Sequence, residues 1–235
     1  MDKEKAGIWI TGASSGIGIA TVKEFVAVGC NVFASARRVN ELNRLKKNEN
    51  QDKIGIYPCN VASRANVDKT FKNISGEYNI NCLINSAGIT SFKSADENTV
   101  KEIEEVISTN LLGSIYTIKA VLPHFKMIGG GTIINVLSVV TKKTFTNSSA
   151  YTASKMGLLG YAKVLREEVR EHNIRVINVI PGATDTPIWS REMREENSER
   201  MMSPESIARL MVSAFLQTDN LVVEDIVVRP LQGDL

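Results

Sequence analysis

The 235-residue chain is long enough to bury a full core, and 43% hydrophobic with 23% charged residues is the ordinary balance of a soluble globular protein of one domain. Its 28 basic and 26 acidic residues are interspersed and leave a net charge of +2, which gives no reason to expect a nucleic-acid surface. No apolar run approaches the ~20 residues of a membrane span, so no membrane partner and a cytoplasmic location are expected; Cys30, Cys59 and Cys82, without C-x-x-C spacing and far from His124 and His172, read as reduced core thiols and no metal site.

Ala6 to Ile10 reads as a buried strand that meets Thr11-Gly12-Ala13-Ser14-Ser15-Gly16-Ile17-Gly18, followed by an amphipathic helix through Val22, Phe25 and Val26 to Gly29. The glycines permit a tight turn and let the backbone approach a pyrophosphate, whose charge is met by free N–H groups at the helix N-terminus. Their spacing is Gly-x-x-x-Gly-x-Gly rather than the commoner Gly-x-Gly-x-x-Gly. Asn31 to Ala36 is the second strand, and in NAD-binding folds an acidic side chain about 20 residues past the glycines holds the ribose hydroxyls. Ala36 stands at that place, and Arg37 and Arg38 follow. A missing acid and a nearby Arg favour the 2′-phosphate of NADP, although two arginines are also an ordinary start for the solvated helix Val39 to Lys47.

Strands at Ile54 to Cys59 and Cys82 to Ile84 flank a helix from Arg64 to Ser75, and the alternation implies an α/β fold with a parallel sheet covered on both faces. Asn60 and Val61 leave the third strand; Asn85, Ser86, Ala87 and Gly88 leave the fourth, small enough to let the chain pass close to a flat cofactor, or a plain turn. Val100 to Met127 is a long helical region, expected to be interrupted by Gly113 and Pro123, with Asn110 either solvated or bonding a kinked backbone or a water. Gly131 to Leu137 is the fifth strand, with Ser138 at its C-terminal end. Ile174 to Ile180 is the sixth, left by Pro181-Gly182-Ala183-Thr184-Asp185-Thr186. The polar segment 188–203 reads as a lid or an exposed loop, Pro204 to Phe215 as a helix capped by Ser203, and Leu221 to Val228 as a seventh strand.

Between the fifth strand and the sixth lies Tyr151-Thr-Ala-Ser-Lys155, opening a helix that runs through Leu165 and Val169. The i,i+4 spacing stacks the Lys155 ammonium over the Tyr151 phenol. A cation there favours the phenolate and is expected to bring a weak acid of pKa about 10 toward working range.

TGASSGIG, NSAG, Asn110, Ser138, YTASK and PGATDT, in that order, resemble the short-chain dehydrogenase/reductase family over nearly the whole chain. The resemblance implies a Rossmann fold, a doubly wound, seven-stranded parallel sheet with helices on both faces. It implies a nicotinamide cofactor held around Thr11, Gly12, Ser14, Ser15, Gly16, Ile17, Gly18, Asn60, Val61, Asn85, Ala87, Gly88, Pro181, Gly182, Thr184 and Thr186, with Tyr151 and Lys155 also touching it. It further implies Ser138, Tyr151 and Lys155 as a catalytic trio, with Asn110 holding a water that links Lys155 to solvent. Three positions depart from the family pattern: Ser86 replaces a second Asn, Asn60 an Asp, and Ser15 a residue that is basic in many NADP-preferring members. The NADP(H) assignment therefore rests on Arg37, with Arg38 as helper.

The reaction so implied is hydride transfer between the nicotinamide and a carbonyl or secondary alcohol, with Tyr151 as general acid and base. An NAD(H)-dependent alcohol or sugar dehydrogenase and a ketoacyl-thioester reductase remain alternatives. A non-catalytic nucleotide-sensing protein would be expected to lose the Tyr or the Lys, which this chain keeps. Val140, Phe145, Ile188, Trp189 and Met193, beside Ser138, are the expected substrate-pocket residues, whereas Lys142, Lys143, Arg191 and Arg194 leave an acyl-carrier substrate open. Apolar residues at Leu111, Ile115, Ile118, Leu122, Leu158, Leu159, Ala162 and Leu165 exceed what one sheet face needs, and relatives pair these two helices across a two-fold axis, so a homodimer or homotetramer is expected.

Overall fold

The computed structural model describes residues 6–49, 51–217 and 221–235. Seven parallel strands, β1 (Gly7–Thr11), β2 (Asn31–Ser35), β3 (Ile54–Ile56), β4 (Ile80–Asn85), β5 (Gly131–Val136), β6 (Ile174–Pro181) and β7 (Asp225–Val228), form one sheet in the order β3-β2-β1-β4-β5-β6-β7. The helices are α1 (Gly16–Ala27), α2 (Val39–Asn48), α3 (Arg64–Ser75), α4 (Val100–Ile107), α5 (Gly113–Met127), α6 (Ser149–Val169), α7 (Arg191–Asn197) and α8 (Pro204–Phe215).

Strand residues are apolar on both faces because both faces are covered. Ile8, Ile10, Ile84, Ile134 and Ile177 pack under α1, α2 and α8 through Val22, Phe25, Leu42, Ile207 and Met211. Trp9, Leu83, Ile133 and Val176 point the other way, against Val67 and Ile74 of α3, Ile118, Val121 and Phe125 of α5, and Ala162 and Leu165 of α6. The strand order turns about β1, which has β2 on one side and β4 on the other, and ligands of open α/β sheets lie at the carboxyl ends beside such a switch point.

One row of the sheet is polar across six strands. Ser35, Thr11, Asn85, Asn135, Asn178 and Asp225 are successive register partners. The first five are buried. Asn85 Nδ2 donates to Asn135 Oδ1 (3.1 Å), Asn135 Nδ2 to Asn178 Oδ1 (3.3 Å), and Asn178 Nδ2 to Asp225 Oδ1 (3.0 Å). Thr117 of α5 donates to Asn85 Oδ1 (2.6 Å), and Arg166 of α6, itself buried, donates to Asp225 Oδ1 (3.0 Å) and to the Val176 carbonyl (3.0 Å). Buried polar groups are costly unless bonded, so the ladder ties register, sheet and both helices together.

Two expectations are corrected. The 100–127 region breaks neither at Gly113 nor at Pro123: a π-turn at Ser108–Leu112 joins α4 to α5, Gly113 opens α5 packed against Val61, and Pro123 lies within α5. Pro123 is exposed, so water can serve the carbonyl that loses its donor. Ile118, Leu158, Leu159, Ala162 and Leu165 are buried inside the chain, because the sheet face and the turn after β5 need all of them; the larger apolar side chains that α6 exposes are Met156 and Val164. The three cysteines are buried and form no disulfide among the described residues. No helix among the described residues is long and apolar enough to cross a membrane.

Asn135→Leu keeps the branched shape of the side chain but leaves Asn85 Nδ2 and Asn178 Oδ1 without their partner. At about 1–3 kcal/mol for each of the two buried groups so orphaned, a loss of about 2–6 kcal/mol is expected in urea unfolding. A loss below ~1 kcal/mol would show that the ladder does not hold the register.

Candidate active site

At the end of β1, Gly12 (φ +69°) and Gly16 (φ +53°) adopt left-handed backbone that side chains disfavour, and a Cβ on Gly12 would lie 2.6 Å from the Ala87 nitrogen. Thr11 Oγ1 holds that approach by accepting from the Ser86 and Ala87 N–H groups, both at 3.3 Å. A Cβ on Gly18 would strike the Gly12 carbonyl, so the start of α1 lies flat on the turn. Ser15 caps α1 without a side-chain bond to its first turn. A glycine cradle with a helix N-terminus behind it suits a dinucleotide pyrophosphate.

Arg38, rather than Arg37, reaches this turn. Its Nε and Nη2 donate to Ser14 Oγ (3.1 and 2.9 Å), and Nη2 also to Ser15 Oγ (2.6 Å), while Arg37 is exposed beyond the end of β2. Ser15, which departs from the family's basic residue, thus helps to hold a guanidinium instead of providing a charge. Ala36 is buried and leaves no carboxylate there.

Ser138 follows β5 and caps a 3₁₀ turn at Val139–Thr141. Tyr151 lies in the first turn of α6, with Lys155 one turn on. The Lys155 ammonium sits 5.7 Å from the Tyr151 ring centre and donates to the Val136 carbonyl at 2.7 Å. Asn110, inside the π-turn, clamps the chain that leaves β4: Oδ1 accepts from Ile89 N and Nδ2 donates to Ile89 O, both 2.9 Å, with a second Nδ2 bond to Ser154 of α6 at 3.0 Å. The amide is used up on protein partners, which makes it a positioning residue. A Cβ on Gly88 would sit 3.6 Å from Asn110 Oδ1 and 3.7 Å from Lys155 Nζ, so glycine leaves the strip above both open.

The expected lowering of the phenol pKa does not appear. Burial pushes Tyr151 up to about 12, with Ser138 acting the other way through a hydrogen bond, and burial also pushes Lys155 down to about 8. Low dielectric disfavours the charged form of both, and the ammonium's hydrogen bond goes to a carbonyl rather than to the phenol oxygen. Groups displaced this far from ordinary values at a strand end are characteristic of a reacting site.

Other expected cofactor residues divide. Thr186 lies against the cradle, since a Cβ on Gly16 would be 3.0 Å from its Cβ, whereas Gly182 packs against Arg229 and Pro230 and Thr184 donates its hydroxyl to the Gly182 carbonyl. Ile17 stays half-buried beside the turn. Asn60 is exposed at a turn where its Oδ1 accepts from Ala62 N. Val61 turns its side chain into the core against Gly113, and Asn85 spends its amide on the ladder that supports the central strand.

On the substrate side, Val140, Ile188 and Met193 are half-buried, Met193 on the short helix α7. Phe145 packs on the Leu137, Val139, Leu158, Leu159 and Ile180 cluster. Trp189 stacks on Phe92 at 5.1 Å between ring centres, and Phe92 meets the Tyr151 ring edge-on at 6.3 Å. Sequence reasoning missed Phe92; its signal was a lone aromatic residue in the polar loop after Gly88. Segment 188–203 is ordered, with α7 capped by Ser190, Arg194 paired to Asp185, and its base closed by a Thr184–Met202 bridge.

A family model described as short chain dehydrogenase matches residues 6–197. The chain is similar to an uncharacterized oxidoreductase of Staphylococcus haemolyticus (30% identical over 223 residues, 94% of this chain and 96% of the relative). It is also similar to a sepiapterin reductase of Chlorobaculum tepidum (31% identical over 236 residues, 96% of each chain). Among solved structures, a metagenomic short-chain oxidoreductase in complex with NADP superposes with a TM-score of 0.85 at 25% identity, over 96% of this chain and 97% of that one.

The shifts of Lys155 and Tyr151 give pH dependences of opposite sign. Between pH 8 and about 10.5 the unfolded chain keeps a proton at Lys155 that the folded protein has lost, so stability rises with pH; from pH 10 to 12 the folded protein keeps the Tyr151 proton and stability falls. Unfolding free energies should therefore show the unmodified protein gaining on Lys155→Met between pH 8 and 10. A constant difference across that range would mean that Lys155 is not held in a desolvated site.

Proposed function

Because the chain belongs to the short-chain dehydrogenase family of oxidoreductases, we propose that it is an NADP(H)-dependent enzyme that interconverts a small carbonyl compound and its alcohol, with Tyr151 as general acid and base. The observation that carries this reading is the convergence of Ser138, Tyr151 and Lys155 beside the open strip at Gly88 and the wall at Thr186.

The bound nicotinamide supplies a hydride to the carbonyl carbon in reduction, or accepts one in oxidation. As the hydride arrives, the carbonyl oxygen becomes an alkoxide, and Tyr151 gives it the phenolic proton, completing an alcohol. Ser138 donates a hydrogen bond to the same oxygen. Burial keeps the phenol protonated at neutral pH, so the proton is present, and the far greater basicity of the alkoxide drives its transfer from this weakened acid. The Lys155 ammonium, one helical turn away, stabilises the tyrosinate left behind until solvent reprotonates it. Asn110 holds the floor of the site by fixing Ile89 and Ser154.

The guanidinium bound by Ser14 and Ser15 favours a coenzyme 2′-phosphate, in keeping with the NADP complex of the metagenomic relative. Arg38 carries this role more than Arg37, since it is already held over the cradle.

Tyr151→Phe removes the proton donor with little change of volume, so turnover should fall by orders of magnitude while NADPH still quenches or transfers fluorescence on binding. Near-normal turnover in the folded variant would reject the mechanism.

For the coenzyme, loss of one charge-assisted bond of about 1.5–3 kcal/mol predicts that Arg38→Ala raises the NADPH KM about tenfold to a hundredfold and leaves NADH nearly unchanged. Arg37→Ala should do less. Equal use of NADH and NADPH by the unmodified enzyme would overturn the NADP(H) assignment.

A further inference from the structure

Two walls of the cleft meet above Tyr151 through aromatic rings. Phe92 comes from the loop between β4 and α4, Trp189 from the segment after β6, and their rings stack at 5.1 Å with planes 23° apart. Phe92 also stands edge-on to Tyr151 at 6.3 Å and 65°. Its ring is 43% exposed, so aromatic surface is left to water directly beside the reacting phenol.

Neither ring is loosely presented. Buried Asn98 accepts from Ser91 Oγ and donates to the Lys93 and Ser94 carbonyls, which fixes the chain on both sides of Phe92. On the opposite wall Trp189 N donates to the Thr186 carbonyl (3.1 Å), and the segment is closed behind it by bonds between Met202 N and Ala183 O (3.0 Å) and between Asp185 N and Met202 O (2.9 Å).

Four of the cations near this lip carry a carboxylate partner, and Lys142 stays exposed. Lys93 pairs with Glu102, Lys143 with Asp234, Arg191 with Glu195, and Arg194 with Asp185. Three of the four cations that left an acyl-carrier substrate open are thus engaged by carboxylates of the same chain. A surface of paired charges and exposed aromatic faces favours an uncharged, flat, apolar group over an acidic one.

We propose that Phe92 and Trp189 form an aromatic clasp that selects uncharged carbonyl compounds carrying a flat conjugated ring next to the carbonyl. The substituent packs on the clasp and the carbonyl oxygen is delivered to Tyr151 and Ser138. The proposal rests on the oxidoreductase reading above and adds the substrate class.

The test compares acetophenone with 2-octanone, two uncharged ketones of similar size, at saturating NADPH. The unmodified enzyme should favour acetophenone at least tenfold in kcat/KM. Phe92→Leu, which stays apolar, should remove most of that preference, chiefly through a raised KM for acetophenone. Trp189→Phe, which keeps a ring, should retain the preference. Independently of turnover, Phe92→Leu should shift the tryptophan emission to longer wavelength, since Trp9 is enclosed in the core and Trp189 alone loses its stacking partner. A preference for 2-octanone, an unchanged ratio in Phe92→Leu, or an unshifted emission overturns the clasp. Failure of the NADPH-loaded unmodified protein to reduce acetophenone also overturns the clasp, whereas the Tyr151→Phe comparison tests the oxidoreductase reading on its own.

Discussion

The polar row that crosses the sheet from Ser35 to Asp225 is the constraint on which the rest depends. Side chains alternate faces along a strand, so a slip of one residue in any pairing would turn a buried amide to the opposite face and strand its neighbours. Register is thereby enforced by satisfaction of hydrogen bonds and not by apolar pattern alone, because strands as uniformly apolar as Ile8–Trp9–Ile10 carry little register information of their own. With the row in place, the carboxyl ends of β1, β4 and β5 finish at nearly one level, and β6 runs on to Pro181. Thr11 can then reach Ser86 and Ala87, and the turn after β5 can face α6.

The same enclosure sets the electrostatics of the site. Tyr151 and Lys155 are both withdrawn from water, and burial acts on each in the direction of neutrality, raising the phenol and lowering the ammonium. Lys155 spends its shortest bond on the Val136 carbonyl, at the end of β5, which aims the ammonium at the strip that Gly88 leaves open. The helix that carries the reacting pair is pinned at its other end by Arg166, whose guanidinium closes the polar ladder at Asp225. The ladder and the Tyr151–Lys155 pair therefore sit at opposite ends of α6.

Much of this was legible in the chain itself. The strand–glycine–helix start, the alternation of strands and helices, the helix Arg64–Ser75 and the Ser203–Pro204 start of α8 follow from local rules of periodicity, capping and turn chemistry, and the structure repeats them closely. Local rules also placed Lys155 over Tyr151, because an i,i+4 pair in a helix needs no tertiary information. They failed at Gly113 and Pro123, where the break moved to a π-turn that only pays off because Asn110 finds Ile89 and Ser154 across the fold.

The sequence by itself determined the kinds of groups present: the glycine turn, a carboxylate-free second strand followed by arginines, and the Ser138, Tyr151, Lys155 and Asn110 set. The tertiary structure alone decided which of these meet. It chose Arg38 over Arg37 as the partner of Ser14 and Ser15, withdrew Val61 and Asn85 into the core and the ladder, and brought Phe92 to Trp189 across nearly a hundred residues of chain. It also reversed the sign of the Tyr151 shift, since proximity to a cation can be read from spacing, whereas desolvation depends on every element that closes over the site.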